Sequence, residues 1–447
     1  MQSYVFDLAF VRGAWQRDVR VLVEKGIILA VDPSSNHADA EHIAGAAIPA
    51  MANIHSHAFQ RGFAGLGERK PLGQSDFWAW REAMYRFSAA MTPELLHAVA
   101  SQLYVECLEG GYSHITEFHY LHKSDVGLEL AMADALFAAA DDVGVGLTML
   151  PVLYNRGGFE NEPLNTAQAT FHLSGARMQG LLGDLSKSLG AKHALGLAFH
   201  SLRAVDLASM QQALQWVDKD APIHIHCAEQ TKEVEDCLAV YGETPVAWLL
   251  NHMGVDDRWS LIHATHVNET ELQAIAACGA TVGICPTTEA NLGDGIFPLE
   301  AFLALEGKIA IGSDSNICRS ATEELRLLEY SQRLAHQRRT IGLVKGYESI
   351  GEGLWHDSAL HGHKAVASGA GDIAVGKRAD ILVLDTSHPA LTGKPSAALL
   401  DSFVFASDAK AIAHMMVAGE WVLQAGSHEK ADTIRENFQK AMRVLTS

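Results

Sequence analysis

The chain has 447 residues, 48% of them hydrophobic and 19% charged, with a formal net charge of −19. That composition supports a large buried core and excludes an intrinsically disordered chain, and the acidic excess, with no Lys/Arg run to offset it, argues against nucleic acid or a membrane surface as a partner. Six dispersed cysteines without a Cys-x-x-Cys suit a reducing compartment, and neither a signal-peptide core nor a membrane-length apolar stretch is visible, so a cytoplasmic protein is expected.

The first residues read as β. VRVLVEKGIILAVDP is a pair of Val/Ile/Leu-rich runs broken at Lys25-Gly26, the pattern of a hairpin. From residue 47 the pattern changes to short apolar runs suited to buried parallel strands, with helical segments between them: AIPAMANI, YSHITEF, VGLTMLPVL, ALGLAF, PIHIHCA, WSLIHA, TVGIC and KIAIGSD. One intervening helix is punctuated at both ends, with Thr92 as N-cap, Pro93 at the first helical position and Gly110-Gly111 as the stop. Eight such runs predict an α/β fold built on a (β/α)8 barrel of the TIM type, because a β-α repeat of that number closes on itself and leaves no sheet edge. Beyond residue 364, β-like runs return in DIAVGKRADILVLD and AIAHMMVAGEWVLQAG, followed by a polar helix from Glu429. The expected organisation is residues 47–364 as a barrel inserted between residues 1–46 and 365–447, which join into a small β-sandwich carrying a terminal helix. Gly371-x-x-x-x-Gly376-Lys377 has the outline of a phosphate loop, but Arg378 stands where Ser/Thr is required and a strand follows, so it reads as a turn.

In such a barrel the chemistry sits at the C-terminal ends of the strands. The first run leads into His55, His57 and Gln60, the second into His119 and Tyr120, and the fourth into His200 and Arg203. The fifth leads into His226 and Glu229, the sixth into His263 and His266, and the eighth into Asp314. No comparable set of ionisable residues is evident ahead of the strands. His55 and His57, two apart on an extended strand, face one side, so both can bind one ion. With one histidine of the fifth strand and Asp314 they make a nitrogen and oxygen donor set that describes a catalytic zinc or iron site, open to water, rather than a closed structural one. Of the two fifth-strand candidates, His226 lies nearer the catalytic end and is the expected ligand; His224 is expected to pack lower, and Cys227 to join the core. Glu229 is placed to pass a proton to a substrate nitrogen, His263 to orient water, and Asp314 to take a proton from it. Arg81 and Arg203 are candidates for binding a substrate carboxylate by paired hydrogen bonds, although FWAWREAMYRF around Arg81 also reads as an amphipathic helix with solvent-facing arginines.

Together these motifs resemble the amidohydrolase superfamily over nearly the whole chain. His55-x-His57, His226-x-x-Glu229, His263 and the GSD ending in Asp314 carry that resemblance. HSHAFQRGFAGL, FWAWREAMYRF, EFHYLH, FHSLRAV and CPTTEANLGDGIFP carry a narrower one, to a branch acting on a formimino-amino acid rather than to guanine, adenosine or triazine members. Asn316 departs from that branch, where His commonly follows GSDS, and puts one contact behind the ligands in question. The resemblance implies a metal-dependent deiminase that hydrolyses N-formimino-L-glutamate to N-formyl-L-glutamate and ammonia in histidine degradation. It sets Gln60, Arg81, Tyr120, His200 and Arg203 around that small dicarboxylate, and it implies a homodimer. Binuclear members carry a bridging lysine at a strand end. None follows the fourth strand here, so one divalent ion per chain is expected, zinc first and iron next. Two alternatives stand beside this: another C–N hydrolase of the same architecture, imidazolonepropionase-like or an aminohydrolase, and a non-catalytic barrel scaffold, whose sign would be a missing ligand.

Overall fold

The computed structural model describes residues 1–33, 39–68, 78–123 and 125–447, with the side chains of residues 78, 79 and 81 outside that description. The chain opens with β1 (Gln2–Val11), β2 (Ala14–Glu24), β3 (Ile27–Pro33) and β4 (Glu41–Pro49). Lys25 and Gly26 between β2 and β3 both have positive φ, 50° and 79°, the left-handed pair that a two-residue hairpin turn requires. One residue, Ala50, separates β4 from the first barrel strand.

The barrel strands follow: β5 (Met51–Ser56), β6 (Tyr112–His119), β7 (Gly146–Leu153), the short β8 (His193–Leu195) and β9 (Leu197–Phe199), β10 (Ile223–Cys227), β11 (Trp259–His263), β12 (Thr281–Ile284) and β13 (Lys308–Ile311). They pair in parallel in the order β13-β12-β11-β10-β9-β7-β6-β5, with β8 on β7. The expected fourth strand is therefore broken into β8 and β9 at Gly196. A Cβ there would come within 2.4 Å of the Pro222 carbonyl oxygen, so the chain needs glycine to pass. The barrel closes at its C-terminal end, where Ser56 bridges Asp314 and the Asp314 amide donates to the His55 carbonyl at 2.9 Å. Every residue of β6 and β7 is buried, which explains why these strands read as unbroken apolar runs rather than as an alternation. The helix Pro93–Glu109 starts where expected, with the Thr92 hydroxyl accepting from the Leu95 amide.

The last strands, β14 (Ile381–Leu384), β15 (Ile412–Val417) and β16 (Glu420–Leu423), join β1–β4 in one seven-stranded sheet of order β16-β15-β14-β4-β1-β2-β3. Tyr4 on β1 meets Trp421 on β16 with ring centroids 5.5 Å apart, and Phe6, Val21, Ile43, Ile381 and Met416 share their core. The sandwich is thus a single mixed sheet folded over itself. The first half of DIAVGKRADILVLD is not a strand: residues 372–377 run as bends and turns, with the Gly376 and Lys377 backbone bonded to Ile28, and Arg378 makes only an isolated bridge to Ile27. The terminal helix Ala431–Leu445 lies against the barrel, where the Arg61 guanidinium sits 5.4 Å over the Phe438 ring.

Candidate metal centre and substrate cavity

His55 lies at the end of β5 and His57 just past it, still extended, and their imidazoles converge at the barrel mouth because alternate residues of an extended chain share a face. His55 Nε2 lies 2.9 Å from His226 Nε2, and Asp314 Oδ1 lies 3.4 Å from His55 Nε2 and 3.2 Å from His57 Nε2. All four residues are buried. His57 Nδ1 donates to the Phe118 carbonyl at 3.0 Å, which leaves its Nε2 as a lone pair facing the Asp314 carboxylate. A lone pair against an anion is a repulsive contact unless a cation lies between them, and His55, His57 and His226 meet the donor spacing for one. The donor set therefore fits a divalent metal.

Burial pushes His55 down to about 3 and lowers His226 as well, so both imidazoles are neutral and able to ligate. The backbone is left-handed at Ala228 (φ 51°), His263 (72°), Ala264 (47°) and Asp314 (44°). Non-glycine residues seldom adopt this region, and each instance costs on the order of 1 kcal/mol or more. These positions fall at or within three residues of the C-terminal ends of β10, β11 and β13, where the chain turns to present its side chains.

A cavity of about 320 Å³ opens on the cluster. His57, His226, His263 and Asp314 form its floor; Gln60, Tyr120, His200, Arg203 and Glu229 line its walls. Gln60 Nε2 donates to the Tyr120 hydroxyl at 2.8 Å, and Gln60 Oε1 has no partner among the described residues. The His200 ring lies 5.0 Å from that of His226 and 4.6 Å from that of Tyr154. Burial raises Glu229, against the opposing pull of His263, 3.9 Å away. For His263 burial acts downward and is outweighed by Glu229, Glu289 and Asp314, which push it up to about 10.

Arg81 lies on the helix Trp78–Ala90, but its side chain is outside those described. His119 is not on the cavity wall and pairs its ring with His122, while His266 Nε2 donates to the Asp294 carbonyl. His224 packs lower, its Nε2 donating to the Ala365 carbonyl at 3.0 Å, and Cys227 is buried in the core. Asn316 supports the metal cluster from behind, donating through Nδ2 to the His57 carbonyl at 3.0 Å and accepting from the Ser313 hydroxyl. Three further participants reach the cavity after β7: Tyr154 directly at the strand end, where its position was the available signal, and Gln168 and Phe171 from farther along, where no strand end marks them. Glu289, four residues beyond the end of the seventh strand run, bonds His263. An acidic residue inside CPTTEANLGDG was the available signal for it.

Residues 46–422 match the amidohydrolase family. Over 451 aligned residues, covering all of both chains, the sequence is 42% identical to the formimidoylglutamate deiminase of Pseudomonas aeruginosa. It is 26% identical to the 5-methylthioadenosine/S-adenosylhomocysteine deaminase of Natronomonas pharaonis, over 91% of this chain and 88% of that one. Among solved structures, an amidohydrolase from Brucella melitensis superposes over the full length of both chains with a TM-score of 0.95 at 39% identity. An adenosine deaminase from Xanthomonas campestris, solved with bound zinc, shares the fold with a TM-score of 0.82 at 22% identity, over 100% of this chain and 99% of that one.

Proposed function

The chain belongs to the amidohydrolase family, and from that membership we propose that it hydrolyses N-formimino-L-glutamate to N-formyl-L-glutamate and ammonia. The observation that carries the reading is one cavity shared by histidines and the aspartate of the metal cluster, a half-buried glutamate and an arginine, in a chain 42% identical end to end to a formimidoylglutamate deiminase. Each component answers a need of that substrate, which joins an amidine-like carbon to two carboxylates.

His55, His57, His226 and Asp314 would hold one divalent ion, zinc on this reading, which supplies hydroxide near neutral pH by lowering the pKa of water to about 7. Asp314 would take up the proton that the attacking water gives up. His263 would orient the attacking water through Nε2, which lies 3.8 Å from Asp314 Oδ2. Glu229, raised by burial, is placed to pass a proton to the leaving nitrogen. Arg203 binds a carboxylate of the glutamate end, with Arg81 as its expected companion. Gln60, through its unpartnered Oε1, Tyr120 and His200 complete the recognition surface. With the glutamate end held away from Glu229, the acid meets only the terminal nitrogen, and ammonia rather than the amino acid departs. A place in histidine degradation, cytoplasmic action and a homodimer extend the same proposal.

The test is ammonia release from N-formimino-L-glutamate by the purified protein, with metal content and proton NMR of the products from the same sample. N-formyl-L-glutamate and about one ion per chain are expected. Formamide with free glutamate would overturn the orientation assigned to Glu229, two tight ions per chain the mononuclear site, and turnover of purines alone the substrate.

A further inference from the structure

Glu289 has no part in the roles above, yet it is the group most directly joined to one of them. It lies on the helix Pro286–Leu292 after β12 and is 4% exposed. Its Oε1 accepts from the Cys285 amide at 2.8 Å and lies 3.2 Å from His263 Nδ1. An oxygen already receiving a backbone N–H acts as an acceptor, so the hydrogen of the second bond belongs to Nδ1. The other ring nitrogen, Nε2, is the one that faces Glu229 Oε1 at 3.9 Å and Asp314 Oδ2 at 3.8 Å. His263, the last residue of β11, sits at φ 72° and Ala264 at 47°, so the chain leaves the extended conformation at His263 itself and the strand alone does not fix where the ring points.

We infer that Glu289 is a positioning residue: by holding the Nδ1–H of His263 it keeps Nε2 turned toward the reacting groups. The inference rests on the deiminase reading for the identity of the reaction, but the hydrogen bond can be tested without it. Helix capping is the competing explanation. Capping glutamates occupy the third helical position, as Glu271 does in the helix Glu269–Cys278, where its Oε2 accepts from the Asn268 amide at 2.9 Å. Glu289 occupies the fourth position after the N-cap Cys285, one residue past the capping box. Its carboxylate spans from the helix start to the imidazole, a reach that capping does not require.

The experiment compares Glu289→Ala, Glu289→Gln and, as a capping control, Glu271→Ala. Glu289→Ala should lower kcat on the order of a hundredfold, with KM within about threefold of wild type and metal content unchanged. Glu289→Gln, whose amide oxygen can still accept both hydrogens, should recover to within about tenfold. Glu271→Ala should lower the melting temperature and leave kcat alone. In holoenzyme labelled with 15N-histidine, the His263 Nδ1-bound proton signal, assigned by its loss in His263→Ala, should vanish in Glu289→Ala and persist in Glu289→Gln. Glu289→Asp, which withdraws the carboxylate by one methylene, gives the same readouts if the alanine variant does not fold. Unchanged kcat in Glu289→Ala, or an Nδ1–H signal that survives there, would overturn the inference. A wild type inert toward N-formimino-L-glutamate would instead defeat the substrate reading and leave the NMR comparison to decide this one.

Discussion

The two ends of the barrel both carry buried histidines, and they use them in opposite ways. At the C-terminal end His55, His57 and His226 face one another and a carboxylate, an arrangement that is repulsive until a cation enters. At the N-terminal end His114 Nε2 bonds the Thr148 hydroxyl at 2.7 Å, His224 Nε2 the Ala365 carbonyl at 3.0 Å, and His363 Nε2 the Ala50 carbonyl at 3.0 Å. Beside them Arg378 and Asp380 make a buried ion pair at 2.6 Å. The N-terminal set is paired with hydroxyls, carbonyls and a counter-ion and seals the barrel floor. Buried histidines are therefore informative through their partners, not their number: acceptors that face other acceptors mark a cation site, and donors matched to acceptors mark a structural plug.

Substitutions at the two ends should separate along this line. The largest effect is expected at the mouth, where His57→Ala should remove the metal and lower kcat/KM by on the order of ten-thousandfold or more while the fold survives. Atomic absorption on the folded variant checks this, and retention of one ion per chain would break the contrast. At the floor, Arg378→Met should cost about 3–5 kcal/mol of stability, because it strands a buried carboxylate. Metal content should stay the same.

That second variant also has a pH signature. Burial would raise Asp380, but Arg378 outweighs it and holds the carboxyl below its usual range, so the pair stabilises the protein above the unfolded value of about 3.9. This contribution is lost as pH falls through the lower folded value. In Arg378→Met the unpartnered carboxyl is raised instead, and its penalty is relieved by acid. Denaturant titrations should therefore show a gap between wild type and variant that is widest at neutral pH and narrows as pH is lowered. A gap that widens in acid would contradict the assignment.

Arg203→Met should lower kcat/KM for N-formimino-L-glutamate on the order of a hundredfold, equivalent to about 2.7 kcal/mol of transition-state binding, with metal content and melting temperature intact. An unchanged kcat/KM would return Arg203 to a surface role. The smallest change should follow His224→Gln, about 1–2 kcal/mol of stability with activity retained, since only one bond to the Ala365 carbonyl is at stake. If His224→Gln emptied the metal site, the division between the two ends would fail.

Much of this molecule was legible before folding was considered. The eight apolar runs, the Lys25-Gly26 turn and the Thr92 cap are local facts, set by side-chain period and backbone preference within a few residues. The histidines and aspartate at the strand ends were legible for a related reason. A parallel barrel sends every strand's C-terminal end to one mouth, so sequence position translates directly into spatial position. The expectation that no ionisable set precedes the strands was wrong. His363, Arg378 and Asp380 reach the barrel floor from the helix Ile350–Ala365 and the segment before β14, outside the repeat, to join His114 and His224. Folding also decided which nitrogen of His57 carries its hydrogen, through the Phe118 carbonyl, and brought Glu289 to His263 across a turn. It alone determined that the terminal strands make one continuous sheet. The sequence by itself determined what depends on near neighbours and on the repeat; partners distant in the chain were decided by packing, because hydrogen-bond choice depends on atoms that no local pattern brings together.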